Sequence, residues 1–284
     1  MPPPFSTCGW HSGAMADDEI EFLAVPGGLV ILRDSRRDRV REVRLQPFRM
    51  ARTPVSVRQF ASSASKETVD ASLAADLPQS PVTWHDAVLW CNRRSAAEGL
   101  RPAYRVSEGW VHWDTTSDGL RLPTEAEWEH ACRAGTDEPT YGELSEIAWT
   151  SLDELEGPQP VALKRPNAFG LHDMIGNVWE WCWDLADPAR YGAYRSLRGG
   201  GWADPVWSCR ASVRRGSAPD AVIEDVGLRP VRGAVGDGSP QAQGWSDATD
   251  RERADLRGPI PFGWTPLRDF PAPEPRPGSC RTDG

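Results

Sequence analysis

The sequence predicts a loop-rich α+β domain with short helices and small antiparallel sheets. Glycine and proline, 26 residues each, disfavour a helical bundle or a doubly wound sheet. Fourteen tryptophans give short elements wide apolar surfaces to bury. The third observation is the stretch from Asn167 to Asp184, the centre of an organising region that runs from Pro166 to Pro230. Its Trp179, Trp181 and Trp183, set among Gly, Asn and Glu, are too polar for an amphipathic helix and too aromatic for a solvent loop. It reads as a compact, mostly irregular segment in which rings supply buried area. Asn and Glu side chains there satisfy backbone groups or a hard cation. Arg198–Trp202 and Gly227–Pro230 read as strand ends with close backbone approach.

A chain of 284 residues can bury one substantial core and carry an appendage. Residues 1–17 lack periodicity and predict a disordered tail, with Met15 an alternative start. The pattern from Ile20 to Leu32 is β-like and is broken by a turn at Pro26-Gly27-Gly28; Arg41 to Met50 alternates as another strand. Ser56 and Gln59 form a capping box that opens a short helix, and residues 62–80 form a loop. Thr83 caps a helix from Trp84 to Glu98 that ends at Gly99, with Asp86 suiting the dipole of its first turn. After a turn at Asp114–Asp118, Thr124 and Glu127 form a second capping box, for a helix reaching about Ala134. Capping and dipole complementation account for Glu125 and Glu127 more simply than acid–base catalysis does. Past Arg232, residues 233–243 read as a linker. Ser246 then caps a short helical pattern to Arg257, followed by an aromatic strip with Phe262 and Trp264 and a Pro-rich end. The domain is therefore expected over residues 18–232 and an extension over 233–284.

The net charge of -9, with Lys almost absent beside abundant Arg, leaves no basic stripe and predicts no nucleic-acid partner. No apolar run reaches the roughly 20 residues that span a bilayer, so no membrane partner is expected. No basic region followed by an apolar stretch opens the chain, which predicts a cytoplasmic protein. The six cysteines, Cys8, Cys91, Cys132, Cys182, Cys209 and Cys280, lack metal-knuckle spacing and are expected as reduced, mostly buried thiols.

Five motifs then occur in one order: Arg121–Glu129 (RLPTEAEWE), Asn167–Trp181 (NAFGLHDMIGNVWEW), Arg198–Trp202 (RGGGW), Cys209-Arg210 and Gly227-Leu228-Arg229. Together they resemble the formylglycine-generating enzyme (sulfatase-modifying factor) family over about residues 20–232. The resemblance implies a divergent C-type-lectin-like α+β fold. In the enzymes that name the family, two cysteines five residues apart hold Cu(I), a soft ion that prefers thiolates, and O2 converts a substrate cysteine to formylglycine. Aligned on the glycine motif, the second cysteine falls on Cys209 and the first on Asp204; the serine expected after the glycine pair is Gly201. A carboxylate does not replace a thiolate for Cu(I), so copper is not expected. Iron, held by histidines in other family members, is not expected either, because His11, His85, His112, His130 and His172 include no two at helical ligand spacing.

The resemblance implies structural calcium on Asn177 and Glu180, with backbone carbonyls completing an oxygen shell; the alternative is that both side chains hydrogen-bond the loop without an ion. Trp149-Thr150 stands where the asparagine of a second calcium site would be. Ala203–Val226 occupies the ligand-displaying region of the related retroelement variable proteins. Trp202, Trp207, Arg210 and Arg214 are the contact candidates for a peptide or protein, since aromatic and Arg residues dominate binding hot spots. The sequence thus predicts a noncanonical bacterial family member that acts on or binds a peptide or protein around Trp202–Arg214. The alternatives are a non-catalytic binding module, and a metal- and O2-dependent oxidoreductase of sulfur or peptide chemistry. If redox chemistry is kept, Cys209 serves as thiolate ligand or nucleophile and Asp204 as acid–base group or metal ligand.

Overall fold

The computed structural model describes residues 18–34, 38–62, 73–107, 110–235 and 243–261. The tail at 1–17, most of the linker, the aromatic strip, the Pro-rich end, Cys8 and Cys280 lie outside these residues. In chain order the elements are β1 (Phe22–Val25), β2 (Gly28–Asp34), β3 (Arg39–Leu45), β4 (Phe48–Ala51), α1 (Val57–Ser62) and α2 (Trp84–Ala97). There follow β5 (Tyr104–Ser107), β6 (Trp110–Trp113), β7 (Leu120–Arg121), α3 (Glu125–Arg133) and α4 (Leu144–Ile147). The last are β8 (Trp179–Leu185), α5 (Pro188–Tyr191), β9 (Arg195–Arg198), β10 (Arg214–Ser217), β11 (Val226–Gly227), β12 (Val231–Arg232) and α6 (Asp247–Arg253).

These form an α+β domain with two four-stranded sheets, in orders β1-β4-β12-β7 and β10-β9-β8-β11, beside the hairpins β2-β3 and β5-β6. All pairings are antiparallel except the short one between β11 and β8. Among the described residues no helix is long and apolar enough to cross a membrane.

The local signals act through identifiable bonds. The Thr83 hydroxyl accepts the Asp86 amide at 3.0 Å and starts α2. Thr124 and Glu127 close a reciprocal capping box on α3. Glu127 does more than cap, however. Both its oxygens lie 2.7 Å from the Arg121 guanidinium, inside the core. Glu125 and Glu129 are buried on the same helix and pair with arginines, so the acids of α3 are interior counter-ions as well as dipole complements.

Two segments differ from the sequence expectation. The run from Arg41 to Met50 is two strands, because Pro47 has no amide to donate and divides β3 from β4. The segment from Asn167 to Asp184 is irregular only as far as Val178. Asp173 (φ 53), Gly176 (φ 74) and Asn177 (φ 62) are left-handed there, and a Cβ on Gly176 would meet the Trp149 carbonyl oxygen at 2.2 Å. Trp179–Leu185 is then a strand, all seven residues buried, whose register with β9 shifts between Trp181 and Leu185. Its pattern is a period of two: indoles at Trp179, Trp181 and Trp183 face one way, Glu180, Cys182 and Asp184 the other. Trp183 packs against Trp84, Tyr104 and Trp113, and the Trp181 indole donates to the Val82 carbonyl at 2.7 Å.

The polar face is satisfied by arginine. Arg229 contacts both Glu180 oxygens at 2.8–3.0 Å and also donates to the carbonyls of Ala51, His172 and Asp173. The Trp128 indole donates to the same carboxylate at 2.7 Å, tying α3 to β8. Removing one member would strand the other without water. Glu180→Ala is therefore expected to cost about 3–5 kcal/mol of unfolding free energy in urea titration. A loss below about 1 kcal/mol would mean that the pair does not organise the core.

Candidate functional site

The site grows from the end of β9. After Arg198 the chain makes a glycine turn in which Gly199 (φ 104) and Gly200 (φ 88) take left-handed conformations. A Cβ on Gly200 would meet the Cys209 sulfur at 2.8 Å, and one on Gly201 would meet an Asp225 carboxylate oxygen at 2.2 Å. The turn thus packs directly on the residues that follow it. A serine at position 201 would displace the Asp225 side chain.

Asp204 and Cys209 are brought together as their five-residue spacing suggests, but each is engaged by the fold. One Asp204 carboxylate oxygen accepts the Trp179 indole at 2.5 Å and the Gly201 amide at 2.9 Å. The other lies 3.3 Å from Arg215, whose guanidinium stacks 4.9 Å above the Trp179 ring. The Asp204 carbonyl accepts the Ser151 amide at 3.0 Å. Cys209 is buried, its sulfur 3.9 Å from the Asp204 carbonyl oxygen. Burial, reinforced by the Asp204 charge and opposed by Arg215, pushes its thiol up to about 12. Burial and the neighbouring Asp204 likewise raise Asp225 above the usual carboxylate range. Cys91, Cys132 and Cys182 are also buried free thiols. Among the described residues no group of three or more His, Cys, Asp or Glu side chains is arranged to hold a metal ion.

The contact candidates divide. Trp207 is 60% exposed beside Val206, and Leu152, at 70%, follows the residue bonded to Asp204. Trp202 is half-buried and Arg210 exposed. Arg214 does not join them. Successive strand residues point to opposite faces, so Arg214 reaches the buried Glu125 at 3.0 Å while Arg215 turns to Asp204. Arg215 and Asp225 were not singled out by sequence. The alternation in Arg214-Arg215-Gly216-Ser217 was the signal for the first; nothing local marks the second.

Asn177 and Glu180 do not fit a shared calcium shell. Both Glu180 oxygens already accept from Arg229, and one also accepts from Trp128. A second cation beside the guanidinium would be repelled. The Asn177 side chain is closed on Gln159, accepting its amide at 2.9 Å and donating to its carbonyl at 3.0 Å. Calcium addition or chelation is expected to leave the melting temperature unchanged within about 1 °C in scanning calorimetry. A fall of several degrees on chelation, restored by calcium, would show that an ion holds this segment.

Comparison with known proteins bears on the family and the fold. The Sulfatase-modifying factor enzyme 1-like domain profile matches residues 12–234. "Chaperone protein LppX" of Paenibacillus barcinonensis is 26% identical over 266 residues, covering 80% of this chain and 94% of that protein. The formylglycine-generating enzyme of Thermomonospora curvata is 30% identical over 282 residues, covering 73% of this chain and 92% of the enzyme. Among solved structures, Treponema denticola variable protein 1 superposes with a TM-score of 0.67 at 25% identity, over 74% of this chain and 94% of that one. The matched span runs through both sheets and the glycine turn, and the chain belongs to the sulfatase-modifying factor family, that of the formylglycine-generating enzymes.

Proposed function

We propose that this chain is a noncanonical family member that binds a peptide or protein segment across the surface around Trp202, Trp207 and Arg210, without two-cysteine copper oxidation. The observation that carries this is the engagement of Asp204. Where the resemblance implies a thiolate, a carboxylate is held by the Trp179 indole, the Gly201 amide and Arg215. It serves the turn rather than a soft metal. Burial and the Asp204 charge push the thiol of its partner Cys209 up to about 12, which disfavours a free nucleophilic thiolate.

The surface beside it supports recognition. The exposed Trp207 and Val206 give apolar area, and the exposed Arg210 supplies a charged donor. Among the similar proteins, one carries the name of a chaperone and another that of a variable protein, which accords with a domain used for binding. Selection from a displayed random-peptide library is expected to yield binders. Trp207→Ala should weaken them by at least about tenfold, the range of an interface hot spot, at unchanged melting temperature. Binders indifferent to Trp207 and Arg210, or none at all, would place recognition elsewhere.

A further inference from the structure

A second buried charge cluster lies where the segment after the family region folds back on the domain. The described residues 243–256 are bound at several points. The Thr124 hydroxyl donates to the Gln243 carbonyl at 2.8 Å, and the Gln243 side chain bridges both backbone groups of Gln46. Arg41 donates to the Gly244 carbonyl. Trp245 packs on Trp113 and Trp183, its indole 2.9 Å from Asp250. Ser246 caps α6, and from that helix Asp250 accepts the Leu185 amide at 3.1 Å while Arg253 donates to the Leu185 carbonyl at 2.8 Å. Arg253 also pairs with Glu125 at 2.9 Å.

Beneath this segment sits Asp184, fully buried, with one oxygen accepting the Glu125 amide at 2.8 Å. The charged groups facing it are Asp250 and Arg253 of α6, Glu125 of α3, Arg41 of β3 and Arg195 of β9. Burial, then the charges of Asp250 and Glu125, raise Asp184 to about 7 against the pull of Arg253. Burial would also raise Glu125, but Arg214, Arg253 and Arg198 outweigh it and hold that carboxyl at about 2. Burial thus pushes Asp184 toward the protonated form, while the arginines keep Glu125 ionised.

We propose that residues 243–256 form a reversible latch on the domain, closed while the buried Asp184 carboxyl holds a proton and loosened when that proton leaves. The sign follows from linkage. Lifting α6 takes Asp250 and Arg253 away together, two charges of opposite effect on Asp184, and uncovers the carboxyl; because burial is the largest cause of its raised pKa, its affinity for a proton then falls. The docked state thus binds a proton that the released state gives up. Docking is strongest in acid, weakens as pH rises toward about 7, and levels off once both states have lost the proton.

Hydrogen-exchange mass spectrometry on the full chain reads this, with rates corrected for intrinsic pH dependence. Amide protection in residues 247–256 should fall by up to about tenfold per pH unit from about pH 5 to neutrality and then level off, while α2 amides stay unchanged. Asp184→Asn keeps an acceptor for the Glu125 amide and removes the titration, so its protection there should be flat with pH. Protection independent of pH in the wild-type chain would overturn the latch. So would the same pH dependence in Asp184→Asn.

Discussion

The buried Glu180–Arg229 pair is the constraint on which the rest of the structure depends. It lets β8 be fully interior while only one of its faces is apolar: the indoles pack, and the acids on the other face are neutralised within the protein. The forked guanidinium binds the carboxylate and still has donors for three backbone carbonyls, which a lysine's single ammonium would not match in the same geometry. The pair thus draws together β8, the irregular segment before it and the end of β4. Relative to an apolar replacement such a pair adds little stability, but it permits one arrangement of the chain.

Internal neutralisation recurs throughout the molecule. Arg121 answers Glu127, Arg198 answers Glu129, and Glu125 collects Arg214 and Arg253. At the glycine turn the partner of Asp204 is an indole and an amide backed by Arg215. The polar groups around the glycine turn and β8 are thus satisfied by the protein's own side chains: Glu180 by Arg229 and Trp128, Asp204 by Trp179, the Gly201 amide and Arg215. Trp207, 60% exposed in the segment after the glycine turn, is why recognition rather than oxidation is the function proposed.

Much of this was legible in the sequence because local chemistry carried it. Thr83, Thr124 and Ser246 mark helix starts by hydrogen bonds made within four residues, and the glycines of the turn announce conformations that only they adopt easily. The α+β class and the family followed from motifs strung along one span. Long-range pairing was not legible. Trp179–Leu185 reads as irregular because its polar residues look solvent-bound, whereas their partners lie far along the chain. The same holds for Arg214, whose partner Glu125 is 89 residues away, and for Asp225, which meets Gly201 only after folding. The docking of Trp245 depends on rings from two separate strands.

The most direct test of an interior satisfied without a soft metal is a Cu(I) titration of the reduced protein against a chromophoric chelator. Cys209 in its buried, protonated state should fail to compete, and Cys209→Ser should give the same curve as the wild-type chain. Tight one-to-one uptake of Cu(I) that disappears in Cys209→Ser would contradict the account, since it would require a second strong ligand at the place that Asp204 and its hydrogen bonds occupy.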